Sequence, residues 1–425
     1  MKGEEFSCEN SAEAIFLRKI GGLVWGDDPS QKDRFEESSH DNSSPLALCG
    51  AARFLAAMTG PILTPLAARL PDTVPFVGPE TQERGMGHAF RARLGANESR
   101  FGPSPHAIAA MAAAAAEAWM YGDPEMHDLR AAIAAHHGVT PAHVMVGEGI
   151  DGLLGVLVRL IAGPGDAVVS SLGAYPTFNF HVAGFGADLH RVPYCADRED
   201  PEALLSKARE VGAKLIYFAN PDNPMGTWHD AATVEAMVAT MPEGCLLVLD
   251  EAYIDLAPEG AVPRIAADDP RVIRMRTFSK GYGLAGLRVG YALGAPELIR
   301  AFDKVRNHFG MGRVAQAGAM AALADQGWLR DVQGKVATAR AQIAEIAAVN
   351  GLVALPSATN FVTVDCGRDG DFARAVLRAC IERGLFIRMP GVAPLDRCIR
   401  ISVGTPADLD VLAEVLPEAL RAARG

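Results

Sequence analysis

A mostly parallel α/β sheet is the fold this sequence predicts, and three observations predict it. Short apolar runs without a polar face recur: "HVMVG" (143–147), "DAVVSS" (166–171), "AKLIYFAN" (213–220) and "CLLVLD" (245–250). Runs of this kind suit strands covered on both faces, as parallel strands are. Helix-forming stretches separate them, as β–α–β crossovers require. The chain has 425 residues, 49% hydrophobic and 21% charged, enough for a large core and more than one domain.

Taken in order, residues 1–57 stand apart. "WGDDPSQKDRFEESSHDNSSP" (25–45) is polar and aperiodic, so this extension is expected to be disordered. Met58 opens "MTGPILTPLAARLPD", and translation starting there is an open alternative. Residues 58–110 read as an N-terminal arm and part of a small domain, 111–305 as a large domain, and 306–425 as a small C-terminal domain. "PHAIAAMAAAAAEAWM" (105–120) is alanine-rich and predicts a helix. "IDGLLGVLVRLIAG" (150–163) predicts a second, ended by Gly163. "RVIRMRTFS" (271–279) and "LRVGYAL" (287–293) continue the sheet. Long helices follow residue 294, then strands at "NFVTVDC" (360–366), "LFIRM" (385–389) and "CIRISVG" (398–404). In the last of these, Ile399, Ile401 and Val403 alternate with Arg400 and Ser402, so the two sets face opposite ways. Thr405 and Pro406 open the final helix.

Composition excludes several functions. A formal net charge of −11 disfavours nonspecific nucleic-acid binding. Seven scattered cysteines without a CxxC disfavour a disulfide framework or a zinc site, and no metal is expected. No apolar run has membrane-spanning length, and "MKGEEFSCEN" lacks the basic, apolar pattern of a signal peptide, so a cytoplasmic protein is expected.

The glycine pattern GxGxxG occurs at 147–152 and again at 281–286. A dinucleotide site needs a strand before it, a long helix after it and an acid about 20 residues on. The second copy leaves no room for a helix before "RVGYAL", and the strand after the first copy ends in serines. A dinucleotide-binding oxidoreductase is therefore the weaker reading. The first copy still opens a helix, whose free N–H groups at Gly149, Ile150 and Asp151 can hold a phosphate.

Lys280, between Ser279 and Gly281, suits covalent attachment of a carbonyl cofactor, above all pyridoxal phosphate. The partners such a cofactor needs stand at strand ends. Asp250 can hold the ring-nitrogen proton. Tyr253 and Asn223 can reach the phenolic oxygen, and Tyr175 can stack on the ring. Ser279 and Arg288 can complete the phosphate cup.

This combination resembles the fold type I pyridoxal-phosphate aminotransferases of class I/II, and most closely the histidinol-phosphate aminotransferase group. The resemblance rests on "LGANESRFGPSP" (94–105), "YGDPEMHDLR" (121–130), "NPDNPMGT" (220–227), "VLDEAYIDL" (248–256), "RTFSKGYGLAGLRVGY" (276–291) and "CIRISVGT" (398–405). It implies a large cofactor-binding domain with a mostly parallel seven-stranded sheet and a smaller α+β C-terminal domain. Lys280 would be the covalent anchor of pyridoxal 5'-phosphate. Arg400 and Asn97 would face the substrate, Arg400 taking its carboxylate. Tyr121 would reach the cofactor phosphate of a neighbouring subunit in a homodimer. An amino acid or amino-alcohol phosphate and a 2-oxo acid would be the substrates. A decarboxylase or lyase of the same fold would share every cofactor residue. The chain departs from the group at Ser99-Arg100-Phe101, at Gly310 and Gly312, and at Ile150 and Gly152, all of which bear on the substrate.

Overall fold

The computed structural model describes residues 62–72 and 76–425. The expected disordered extension, 1–57, lies outside the described residues. Residues 62–70 belong to a separate unit holding one short helix, Pro65–Arg69, capped by Thr64.

A seven-stranded sheet carries the rest of the architecture. Its strands are β2 (Val144–Gly147), β3 (Ala167–Ser171), β4 (Asp188–Val192), β5 (Leu215–Ala219), β6 (Leu246–Asp250), β7 (Val272–Thr277) and β8 (Gly290–Leu293), in the order β2-β8-β7-β6-β5-β3-β4. Only β8 runs against its neighbours, and β7, β6, β5, β3 and β4 pair in parallel. Every residue of β5 and β6 is buried. Helices Gly149–Ile161 and Pro176–Phe185 share an apolar core on one face, and Pro201–Val211 with Ala231–Ala239 cover the other. That two-sided cover is why the runs read as uninterrupted apolar residues. The C-terminal ends of β3, β5, β6 and β7 meet at one edge, where α/β sheets bind ligands.

β4 carries no such signal. Its "DLHRV" lies at the sheet edge, with one residue fully buried, so it was not readable as a strand. The helix expected over 105–120 ends at Ala115. It spans the expected boundary at 110/111, and helix Arg313–Ala324 packs against it and joins the core around β2 and β8. The stretch after 306 therefore continues the large layer before the chain turns to the small one.

The small layer is a three-stranded antiparallel sheet, β12 (Cys398–Ser402), β10 (Phe361–Asp365) and β9 (Val353–Ala354), backed by helices Gln326–Val349, Gly370–Glu382 and Pro406–Arg424. Ile399, Ile401 and Val403 are fully buried in that core. The last helix starts with a capping box between Thr405 and Asp408. "LFIRM" forms a ladder only at β11 (Leu385–Phe386), which pairs in parallel with β1 (Ala92–Arg93); Arg388 makes a single bridge to Arg400. The β1–β11 pair draws "LGANES" from the N-terminal side onto the small sheet, where Ser402 N–H donates to the Leu94 carbonyl.

Candidate active site

The site is built around Lys280, three residues beyond the end of β7. Its Nζ donates to the main-chain oxygen of Asn97 at 3.0 Å and lies 5.4 Å from the centre of the Tyr253 ring. Burial, followed by the positive charges of Arg400 and Arg288, brings the amine down to about 8. A lysine so placed supplies a substantial share of free amine near pH 8, where an ordinary lysine is almost wholly protonated, and a nucleophile requires the free amine.

Asp250 ends β6. Its Oδ2 accepts from the Tyr217 hydroxyl at 2.6 Å and its Oδ1 from the Ala252 N–H at 2.9 Å. Both donors are neutral, and burial raises the carboxyl to about 6. Glu251, next in the chain, is also buried and takes Arg274 and Arg276 of β7, each at 2.8 Å. That ion cluster ties the end of β6 to the strand leading to Lys280.

Asn97 is the hub between the two layers. Its backbone is left-handed, with φ of 55°, a conformation asparagine tolerates. Ser402 of β12 holds it from both ends: Asn97 N–H donates to Ser402 Oγ at 2.9 Å, and Ser402 Oγ donates to Asn97 Oδ1 at 3.0 Å. The Asn97 amide then donates to the Tyr253 hydroxyl at 3.1 Å. Asn360 Nδ2 donates to the same Asn97 carbonyl that Lys280 uses, at 2.9 Å. Burial pushes the Tyr253 phenol up to about 12, so it stays protonated.

Arg400 extends from β12 on the face opposite its buried isoleucine neighbours. Its Nη1 donates to Asn223 Oδ1 at 2.5 Å, and its guanidinium lies over the Phe361 ring at 5.2 Å. Its Nε is buried without a partner. Burial lowers the arginine to about 10. Arg388, bridged to Arg400 through the backbone, donates to the Val77 carbonyl at 2.7 Å.

A third group lies at the start of helix Gly149–Ile161. Tyr175 hydroxyl donates to Asp151 Oδ1 at 3.0 Å, and Arg288 reaches Asp151 Oδ2 at 3.4 Å and Ser279 Oγ at 3.3 Å. Gly149 has φ of 73°, and a Cβ there would collide with the Arg288 guanidinium. Gly290 on β8 lies so close that a Cβ would sit 2.7 Å from the backbone of Gly149 and Ile150. The structure thus brings together all the expected site residues except Tyr121, which is 79% exposed and rests on Phe309. The sequence reading missed Tyr217, Asn360 and the Glu251 cluster, while Ser402 was read only as facing the same way as Arg400. Tyr217 lies inside a continuous apolar strand and carries no local mark of function.

Parallel-strand ends that surround a lysine, a buried carboxylate and an anion-ready helix start define an α/β enzyme with lysine-centred chemistry. Comparison with known proteins narrows the class. The model of the family "Aminotransferase class I and II" matches residues 92–416. A histidinol-phosphate aminotransferase of Anaeromyxobacter sp. is 36% identical over 350 residues, covering 81% of this chain and 95% of that protein. The crystal structure of histidinol-phosphate aminotransferase from Sinorhizobium meliloti, in complex with pyridoxal-5'-phosphate, is 55% identical with a TM-score of 0.83, covering 86% of this chain and 99% of that one. Aspartate aminotransferase from Thermus thermophilus shares the fold at 22% identity and a TM-score of 0.71. The chain belongs to the class I and II aminotransferase family.

Proposed function

We propose that this aminotransferase moves an amino group between histidinol phosphate and a 2-oxo acid, with Lys280 as the residue that carries pyridoxal phosphate. One observation supports the reading above the others: the Lys280 amine, brought down to about 8, lies within reach of the charge of Arg400, whose Nε is buried and unpartnered. The relatives named above support the amino substrate.

The residues fit the cofactor. Asp250 is a buried carboxylate with only neutral donors, which leaves it suited to a protonated ring nitrogen. Gly149, Ile150, Asp151, Ser279 and Arg288 would hold the phosphate, the glycine leaving room beside the arginine. Tyr253 and Asn223 would take the phenolic oxygen, and Tyr175 the ring face. When bound, pyridoxal phosphate supplies an electron-withdrawing ring that makes the hydrogen beside the substrate amine acidic. Lys280 Nζ then takes that proton and returns it, and the Asn97 carbonyl holds the amine while it waits. Asp250 keeps its negative charge against the ring nitrogen throughout. Arg400 binds the substrate anion through its guanidinium fork, with Arg388 as the second cation beside it.

An aromatic amino acid is the second reading, favoured by Phe101. This residue stands where the resembling group has a tyrosine, so the hydroxyl that would help hold a substrate phosphate is missing. A screen of amino donors against 2-oxoglutarate tests both. Histidinol phosphate should give the highest kcat/KM; a higher value for an aromatic amino acid would replace the first reading with the second.

The same reading places the enzyme in the cytoplasm as a homodimer. Among the described residues no helix is long and apolar enough to cross a membrane. Trp119, Tyr121 and Phe309 are 82%, 79% and 56% exposed, and such rings suit a surface that a second copy covers. Tyr121 would there serve the cofactor phosphate of the neighbouring copy.

A further inference from the structure

Behind the Arg400–Asn223 contact lie two carboxyl groups that the chemistry above leaves unused. Glu199 and Asp222 are each 2% exposed. They come from two segments that cross-link reciprocally. Glu199 receives the Ala219 N–H at 3.0 Å from the end of β5 and the Ser171 hydroxyl at 2.6 Å from the end of β3. Asp222 receives the Tyr194 hydroxyl at 2.8 Å and the Met225 N–H at 2.9 Å. All four donors are neutral. Two contacting carboxylates in such surroundings resist ionising together, because burial leaves the repulsion between the two charges poorly screened.

We propose that Glu199 and Asp222 share one proton, and that the pair so formed is a positioning device for the substrate-binding arginine. Asp222 immediately precedes Asn223, whose side-chain oxygen receives Arg400 Nη1. The loop is closed on itself by Asp222 N–H to the Thr227 carbonyl, and Thr363 of β10 donates to the Pro224 carbonyl at 2.7 Å. With one proton, Glu199 donates to Asp222 and draws the Tyr194–Glu199 segment onto this loop. Without it, two buried negative charges push the segments apart, and Asn223 moves relative to Arg400. Burial raises both carboxyls.

The ionisable neighbours do not replace that proton. Tyr194 and Tyr217 are held neutral by burial, as is Tyr253. His229, whose Nε2 lies 2.8 Å from the Glu199 main-chain oxygen, is pushed below its usual range by burial. Arg198 is turned to the Trp228 carbonyl. Arg400 favours the charged form of Asp222, but its hydrogen bonds go to Asn223 and Gly95.

This inference rests on the reading of Arg400 as the substrate grip, so the test separates the two. Infrared spectra of the cofactor-loaded enzyme at neutral pH should contain the carbonyl stretch of a buried protonated acid, and E199Q should lack it. E199A should raise KM for 2-oxoglutarate about tenfold while the cofactor remains bound. The parent KM should rise on the alkaline side, and E199Q, which keeps a donor towards Asp222 at every pH, should flatten that rise. An infrared band that survives in E199Q, or KM profiles that superimpose, would overturn the proposal; E199Q decides the matter should E199A fail to fold. R400K in the same assay judges the other reading: unchanged KM there removes Arg400 as the grip, whatever the infrared result.

Discussion

Asp250 and Arg400 carry the sharpest consequences for single residues. Asp250→Asn cannot hold a ring-nitrogen proton, so kcat should fall at least about 10²-fold with the fold retained. The same carboxyl ties stability to pH. Its folded value, about 6, lies above its usual one, so its contribution is full below the ordinary carboxylate range and is lost as pH rises through about 6. A cation beside it removes that loss. The gain in Tm on adding pyridoxal phosphate should therefore grow between about pH 4 and pH 7, and Asp250→Asn should flatten the growth, as thermal melts would show. Arg400→Lys should cost about 10²-fold in kcat/KM, roughly 2.7 kcal/mol, without altering cofactor absorbance. An unchanged KM for every anionic substrate would leave Arg388 as the next residue to test. Asp250 was legible as a candidate because it ends a strand, where apolar sequence gives way to a polar group, and Arg400 because it alternates with apolar residues within β12. Tyr217 and Asn360 were not. Their neighbours are equally apolar whether the hydroxyl or amide points at a site or at a core carbonyl.

Between elements, the decisive contact is the approach of β8 to the start of helix Gly149–Ile161. Gly290 allows it, since any Cβ would press on the Gly149–Ile150 peptide at 2.7 Å. Gly290→Ala should displace the helix start that offers its N–H groups to the phosphate, and equilibrium dialysis should register at least a tenfold loss of cofactor affinity. Wild-type affinity in that variant would mean the cup lies elsewhere. The central strands were readable from their uninterrupted apolar runs. The edge strand β4 was not, because half its surface meets solvent and its sequence alternates irregularly. The two-residue pair β1–β11 was beyond reach for another reason: its register is set by partners nearly 300 positions apart, and no local pattern encodes that.

For the molecule as a whole, the proposed homodimer would cover the exposed rings of Trp119, Tyr121 and Phe309. Sedimentation equilibrium should give a dimer. If Tyr121 serves the neighbouring site, mixing inactive Lys280→Ala chains with chains weakened by a Tyr121 substitution should restore activity, because each mixed dimer assembles one intact site. Absence of rescue with dimers present would confine the site to one chain. The strands of the two sheets fall into separate groups along the chain, while helix Arg313–Ala324 joins the core around β2 and β8 by packing that periodicity does not disclose. The claim on which the rest depends is that Lys280 carries the cofactor. Borohydride reduction of the purified yellow enzyme, followed by peptide mass mapping, tests it directly. The account predicts the cofactor mass on the peptide containing Lys280 and on no other; label on a different lysine, or none, would contradict it.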